Sequence, residues 1–157
     1  MKTDDPVVLD VMKRSMIARI ATLSRNGRPS INPLYFIYLN DHIWLGTVDW
    51  TLAARNVKAD PRVSVLFEVE QDARDHRVLR ISGRASVRME QKVQRSYNLR
   101  TARKYPPSAR RNPQCLTHIR LLLPMHNYHV QAAEKGQPCI IEVTPEQAEF
   151  LNSDQQV

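Results

Sequence analysis

Between two apolar runs lies a short stretch rich in chemistry-bearing side chains, LGTVDWTLAARNVKADPRVSVLFE (45–68). The first run stops at Gly46-Thr47, and Thr51, Arg55 and Asn56 follow before Asp60-Pro61 opens the next. Hydroxyls and free amides at the start of a helix form a seat for an anion. An arginine one turn further on can add a two-pronged cation. The plainer reading is that Thr51 caps the helix and Arg55 sits in water. From these residues alone both readings stand.

Other constellations are weaker. The chain has no GxSxG, no HExxH and no paired-carboxylate motif, so no nucleophile–base set stands out. It has no GxGxxG and no Walker-type loop, which leaves a Rossmann or P-loop nucleotide site unsupported. His126 and His129 have helical i, i+3 spacing, and His118 is a possible third ligand. Nothing brings the three together in sequence, and no metal site is expected. Cys115 and Cys139 lack CxxC spacing and read as free buried thiols rather than a disulfide framework.

These residues need elements to hold them. Asp5 can cap a first helix (5–16), with Pro6 in its first turn and Val7, Val8, Val11 and Met12 as an apolar stripe. IARIATLS reads as a strand and Asn26-Gly27 as a hairpin turn. SINPLYFIYL reads as one strand, apolar on both faces and so covered on both sides, with Asn40-Asp41 turning into HIWLGT. Pro33 cannot donate to a ladder, which points to an edge, a bulge or a close neighbour. TLAARNVKAD is a short helix stopped by Pro61. RVSVLFEV and RVLRISGRASVRM alternate as half-buried strands, the second with Arg80, Arg84 and Arg88 on its polar face. A basic helix (90–105), a loop (106–114), two late strands (LTHIRLLL and PCIIEV) and a short C-terminal helix or turn (TPEQAEFL) complete the chain. Six or seven strands, mostly in hairpins, close most naturally as a small antiparallel barrel with flanking helices.

With 157 residues, this is read as a single domain (1–157) with its core at 17–145. No apolar run approaches membrane-spanning length, the first ten residues are acidic rather than signal-like, and the protein is expected in the cytoplasm. The net charge of +7 is unevenly placed. Residues 74–120 hold thirteen basic side chains against two acidic ones, which attracts an anionic partner or leaves a solvated face. Only Tyr97 and Tyr105 interrupt that basic third as aromatics, too few for a stacking nucleic-acid surface, so nucleic acid is not the expected partner.

The order of these pieces resembles the FMN-binding split-barrel superfamily, the relatives of pyridoxamine phosphate oxidase. The resemblance rests on Ala21-Thr22, Gly27-Arg28-Pro29, Pro33 with Tyr35 and Phe36, Thr47, Arg55-Asn56, Asp60-Pro61-Arg62-Val63 and RISGRASV (80–87). It spans residues 17–88, a little under half the chain. It implies a mainly β fold, a six-stranded antiparallel split β-barrel, in a homodimer with a flavin at the interface. It also implies a flavin-dependent oxidoreductase acting on a small, possibly anionic molecule. By the same resemblance Asn32, Pro33, Leu34 and Tyr35 line the flavin ring. Gly46, Thr47, Thr51, Leu52, Ala53, Arg55 and Asn56 surround its phosphate. One position departs from the pattern: Ala53 stands where many relatives carry a phosphate-binding lysine. Losing that charge-assisted contact removes roughly 1.5–3 kcal/mol, ten- to hundredfold in FMN affinity. The alternatives are a deazaflavin (coenzyme F-420) or a non-catalytic flavin- or haem-type binder on the same fold. No catalytic residue is assigned, because in this chemistry the ring carries the hydride and the protein positions it.

Overall fold

The computed structural model describes residues 1–105 and 136–152. The loop (106–114), the LTHIRLLL strand, Cys115, His118, His126 and His129 lie outside the described residues.

Helix α1 (Pro6–Arg14) starts as its sequence requires. The Asp5 carboxylate accepts from the Val7 amide at 3.0 Å, and Pro6 occupies the first position, where a missing N–H costs nothing. Val8, Val11 and Met12 are buried, whereas Val7 points outward. Seven strands follow: β1 (Ala18–Leu23), β2 (Pro29–Leu34), β3 (Phe36–Leu39), β4 (His42–Val48), β5 (Arg62–Glu68), β6 (Val78–Arg88) and β7 (Pro138–Phe150). Helix α2 (Leu52–Ala59) lies between β4 and β5, and α3 (Gln91–Lys104) follows β6.

The strands form one antiparallel sheet in the order β2-β1-β5-β6-β7-β4-β3. Its two edge strands, β2 and β3, are separated in sequence by Tyr35 alone. Opposite edges joined by one residue can meet only if the sheet curls round on itself. That curl makes the split barrel, and counting β2 and β3 as one broken strand restores the six expected. The single strand read from SINPLYFIYL is thus corrected to two. The Gly46 amide donates to the Tyr35 carbonyl at 3.2 Å and holds the seam. Tyr105 staples it from outside, donating to the Met16 carbonyl at 2.6 Å and accepting from the Phe36 amide at 3.4 Å.

Pro33 sits on an edge strand, as its chemistry demands. The expectation that its strand is covered on both sides fails within this chain, since Ile31 is 60% exposed. The expected short C-terminal helix or turn is corrected to strand: TPEQAEF continues β7 along β6. The register shifts at Ser82/Gly83, where Gly83 faces Pro145. A bulge absorbs the proline that a regular ladder could not satisfy.

Alternation divides the buried residues between two layers. Inside, Phe36 and Phe67 meet edge to face at 4.9 Å, surrounded by Met12, Ile20, Leu45, Leu79 and Ile141. Outside, Ile37, Trp44 and Ile140 form a second cluster against Tyr97 of α3. Cys139 is buried, and that burial pushes its thiol up to about 11. The loop before β6 is tied to α1 by ions: Arg14 and Arg77 both reach Asp75, at 2.9 and 2.6 Å. The Arg77 guanidinium holds the Asp75 carboxyl well below the usual carboxylate range.

At the end of α3, Lys104 lies with its ammonium 3.3 Å from the centre of the Phe36 ring. Burial lowers it from 10.5 to about 7, only partly opposed by the Glu70 charge. Below pH 7 the folded and unfolded chains are both protonated there, and the fold bears the full cost of burying the cation. From pH 7 to 10.5 the unfolded chain holds more protons at this site, so stability rises with pH. Lys104→Met is therefore expected to stabilise the protein at pH 6 and to lose that advantage by pH 10. Urea midpoints at the two pH values measure it, and an equal gain at both would exclude a buried ammonium.

Candidate functional site

The residues singled out in sequence gather around the start of α2 and the face of β2 beneath it. Thr51 is the N-cap of α2: its hydroxyl accepts from the Ala54 amide at 3.4 Å. The same hydroxyl donates to the Val48 carbonyl at 2.9 Å and lies 2.9 Å from the Thr47 hydroxyl. Both threonines are buried. Their oxygens therefore fasten the β4–α2 turn.

Asn56 turns inward from the next turn of α2. Its amide donates to Thr22 Oγ1 at 3.0 Å and to Ser30 Oγ at 3.1 Å, and it is only 4% exposed. This locks α2 onto β1 and β2. Thr22 and Ser30 are 3.1 Å apart and complete a three-residue polar knot. Sequence reasoning did not assign Ser30 to this site; nothing in its spacing reveals a partner 26 residues away.

Ser30 and Asn32 share one face of β2, because side chains alternate along a strand. Helix α2 thus lies along the face that carries Asn32. The Asn32 Oδ1 atom is buried and without a hydrogen-bond partner. Pro33 beside it is exposed, Leu34 is buried in the core, and Tyr35 is half-buried with its ring edge-on to Tyr105 at 4.8 Å. A buried carbonyl oxygen left without a donor costs about 1–3 kcal/mol, so this atom marks a place where a donor is missing.

The outward face of α2 is different. Leu52 and Arg55 are exposed, and the Arg55 guanidinium lies 5.9 Å from the centre of the Trp50 ring. Ala53 and Ala54 face the interior and are fully packed. A lysine at position 53 would have to thread its stem through that packing. Gly46 has a tertiary role that was not expected: a Cβ there would overlap the Tyr97 ring. The Tyr97 hydroxyl donates to the Tyr35 carbonyl at 3.2 Å, and burial raises its pKa to about 12. The glycine lets α3 approach the seam of the barrel.

The arginine face of β6 is not an open cationic surface. Arg80 pairs with Glu149, Arg84 with Glu146 at 3.5 Å, and Arg88 with Glu90 and Glu142 at 3.0 and 3.2 Å. The carboxylates come mostly from β7, whose first half (PCIIEV) reads as a strand in sequence and whose second half, carrying Glu146 and Glu149, does not. Among the described residues no cluster of His, Cys, Asp and Glu is placed to hold a metal. No helix among them is long and apolar enough to cross a membrane.

A curled antiparallel sheet broken at one residue, with a capped helix beside the break, defines the split-barrel class. Residues 5–152 match the pyridoxamine 5'-phosphate oxidase family, and the chain belongs to it. No curated protein matches. Among solved structures, a conserved hypothetical protein from Mycobacterium tuberculosis is similar at 18% identity and a TM-score of 0.67, over 96% of this chain and 85% of that one. An F420 reductase aligns at 18% identity and 0.61, over 89% and 94%. The haem storage protein HutZ from Vibrio cholerae aligns at 14% and 0.65, over 93% of each. At such identities these likenesses establish the shared fold.

Proposed function

We propose that this protein binds a flavin-type cofactor, FMN or the deazaflavin F-420, at a homodimer interface and works as an oxidoreductase on a small molecule. The observation that carries the reading is Asn32 Oδ1, a buried acceptor without a partner on β2. A flavin ring presents an N–H of the kind that atom requires. Asn32, Pro33, Leu34 and Tyr35 would line the ring. The open face of β2, with Ile31 exposed, is where a second copy would complete the groove.

The phosphate side fits less fully. The hydroxyls of Thr47 and Thr51 and the amide of Asn56 already have partners within the chain. What remains is Arg55 and the first-turn amides of Leu52 and Ala53, which no carbonyl within α2 can satisfy. These would hold the phosphate. When bound, the ring supplies the hydride chemistry. The chain's own part is to place the ring, exclude water and provide the acceptor at Asn32.

A second reading, a non-catalytic binder of a haem-type ligand, is favoured by the same depleted phosphate seat and by Ala53 in the core. Titration of the purified protein with FMN, F-420 and haem separates the two. Saturable quenching of FMN or F-420 fluorescence, weakened about tenfold in Asn32→Ala, is the expected result. Binding of haem alone would establish the second reading, and binding of none would overturn both. Light scattering should give the mass of a dimer.

A further inference from the structure

A cleft of about 590 Å³ lies between α1, β3 and α3, and none of the residues proposed to hold the cofactor is among its described lining. Its wall carries Lys13, Arg100, Arg103 and Lys104, and among the described residues no acidic side chain lines it. Its floor is apolar: Met12 and Phe36 are fully buried and Ile37 nearly so, with Leu9 at the side.

The four cations lack the carboxylate partners that six arginines elsewhere in the fold have. Arg19, Arg62, Arg77, Arg80, Arg84 and Arg88 each meet a carboxylate. Among the described residues, Lys13, Arg100, Arg103 and Lys104 form no ion pair. Glu70 is the acid felt by Lys104, but its two oxygens accept from the Met16 and Ile17 amides at 2.8 and 3.2 Å. On α3, Arg100 is three and four residues from Arg103 and Lys104, the spacing at which like charges repel. Lys104 is held half-buried against the Phe36 ring, feels the Glu70 charge at a distance, and forms no ion pair among the described residues. Arg100 and Arg103 are exposed at the rim and Lys104 is half-buried below them; an anion placed among the three relieves their mutual repulsion.

We propose that this cleft binds a small organic anion, a carboxylate on an apolar body, with Lys104 and Arg100 meeting the charge and the half-buried Leu9 and Tyr38, with the aliphatic stems of the basic side chains, taking the body. The cavity lies within the size range of small-ligand sites. Its charge supplies orientation and its floor supplies burial. An anion without an apolar body would leave Leu9 and Tyr38 wet, and a neutral body would leave the cations unmatched.

The test uses 1-naphthoate, with 1-naphthamide as its uncharged counterpart and inorganic phosphate as charge without body. Titration calorimetry on the full-length protein, with and without saturating FMN, reads all three. The expected result is 1-naphthoate binding at least tenfold tighter than either control, unaffected by FMN. Lys104→Met, which keeps the stem and removes the charge, should weaken it about tenfold, as should Arg100→Gln. Equal binding of 1-naphthoate and 1-naphthamide would overturn the proposal, as would equal binding of phosphate. Unchanged affinity in both variants would also overturn it. Competition with FMN would assign the cleft to the cofactor instead.

Discussion

Phe36→Ala should lower the unfolding free energy by about 3–5 kcal/mol, the range for removing a buried aromatic ring. The ring is fully buried and edge-on to Phe67 at 4.9 Å. It also follows directly on Tyr35, the residue at which one edge of the sheet becomes the other. Its backbone is held by the Tyr105 hydroxyl, so the site cannot collapse easily onto a smaller side chain. Phe36→Leu keeps most of the volume and should cost much less. Urea unfolding of the two variants against the parent measures both. A loss below about 1 kcal/mol for the alanine variant would mean that the seam is not packed as described.

Gly83→Ala should destabilise the protein markedly for the addition of a single methyl. Gly83 faces Pro145 at the register shift between β6 and β7, and a Cβ there would overlap the Thr144 carbonyl. That neighbour is backbone, so no rotamer change relieves it. Either β7 moves away or the bulge opens, and β6–β7 is the longest pairing in the sheet. Overpacking of this kind costs about 1–3 kcal/mol, and for a chain of this size each kcal/mol lowers the melting temperature by about 2–4 °C. A fall of roughly 2–12 °C is expected by calorimetry. An unchanged melting temperature would show that β7 yields freely at the bulge. The requirement here is for space; Gly27, by contrast, needs its positive φ of 76° at the β1–β2 turn and has nothing near its missing Cβ.

Local chemistry by itself determined much of this protein. The cap and proline of α1, the Thr51 start and Pro61 stop of α2, the turns at Gly27 and Asn40-Asp41, and the alternation of β5 and β6 follow from residues within a few positions of one another. Those signals act through the backbone of their own segment, so a linear reading can see them. The order of the motifs placed the chain in its family for the same reason.

Tertiary structure decided the rest. TPEQAEFL is built of residues that tolerate a helix, yet its backbone pairs with β6, from Thr144 with Arg84 to Phe150 with Leu79. Propensity yielded there to a ladder already in place. SINPLYFIYL carries no mark of the break at Tyr35, because the break is imposed by closing the sheet. Thr47, Thr51 and Asn56 are polar in any reading; that they face each other, Thr22 and Ser30 depends on where α2 docks. Ala53 shows the same rule from the other side. Its identity was plain in sequence, but that its position lies in the core was set by packing between elements. Whether a polar group is available to a ligand is a property of its neighbours in space.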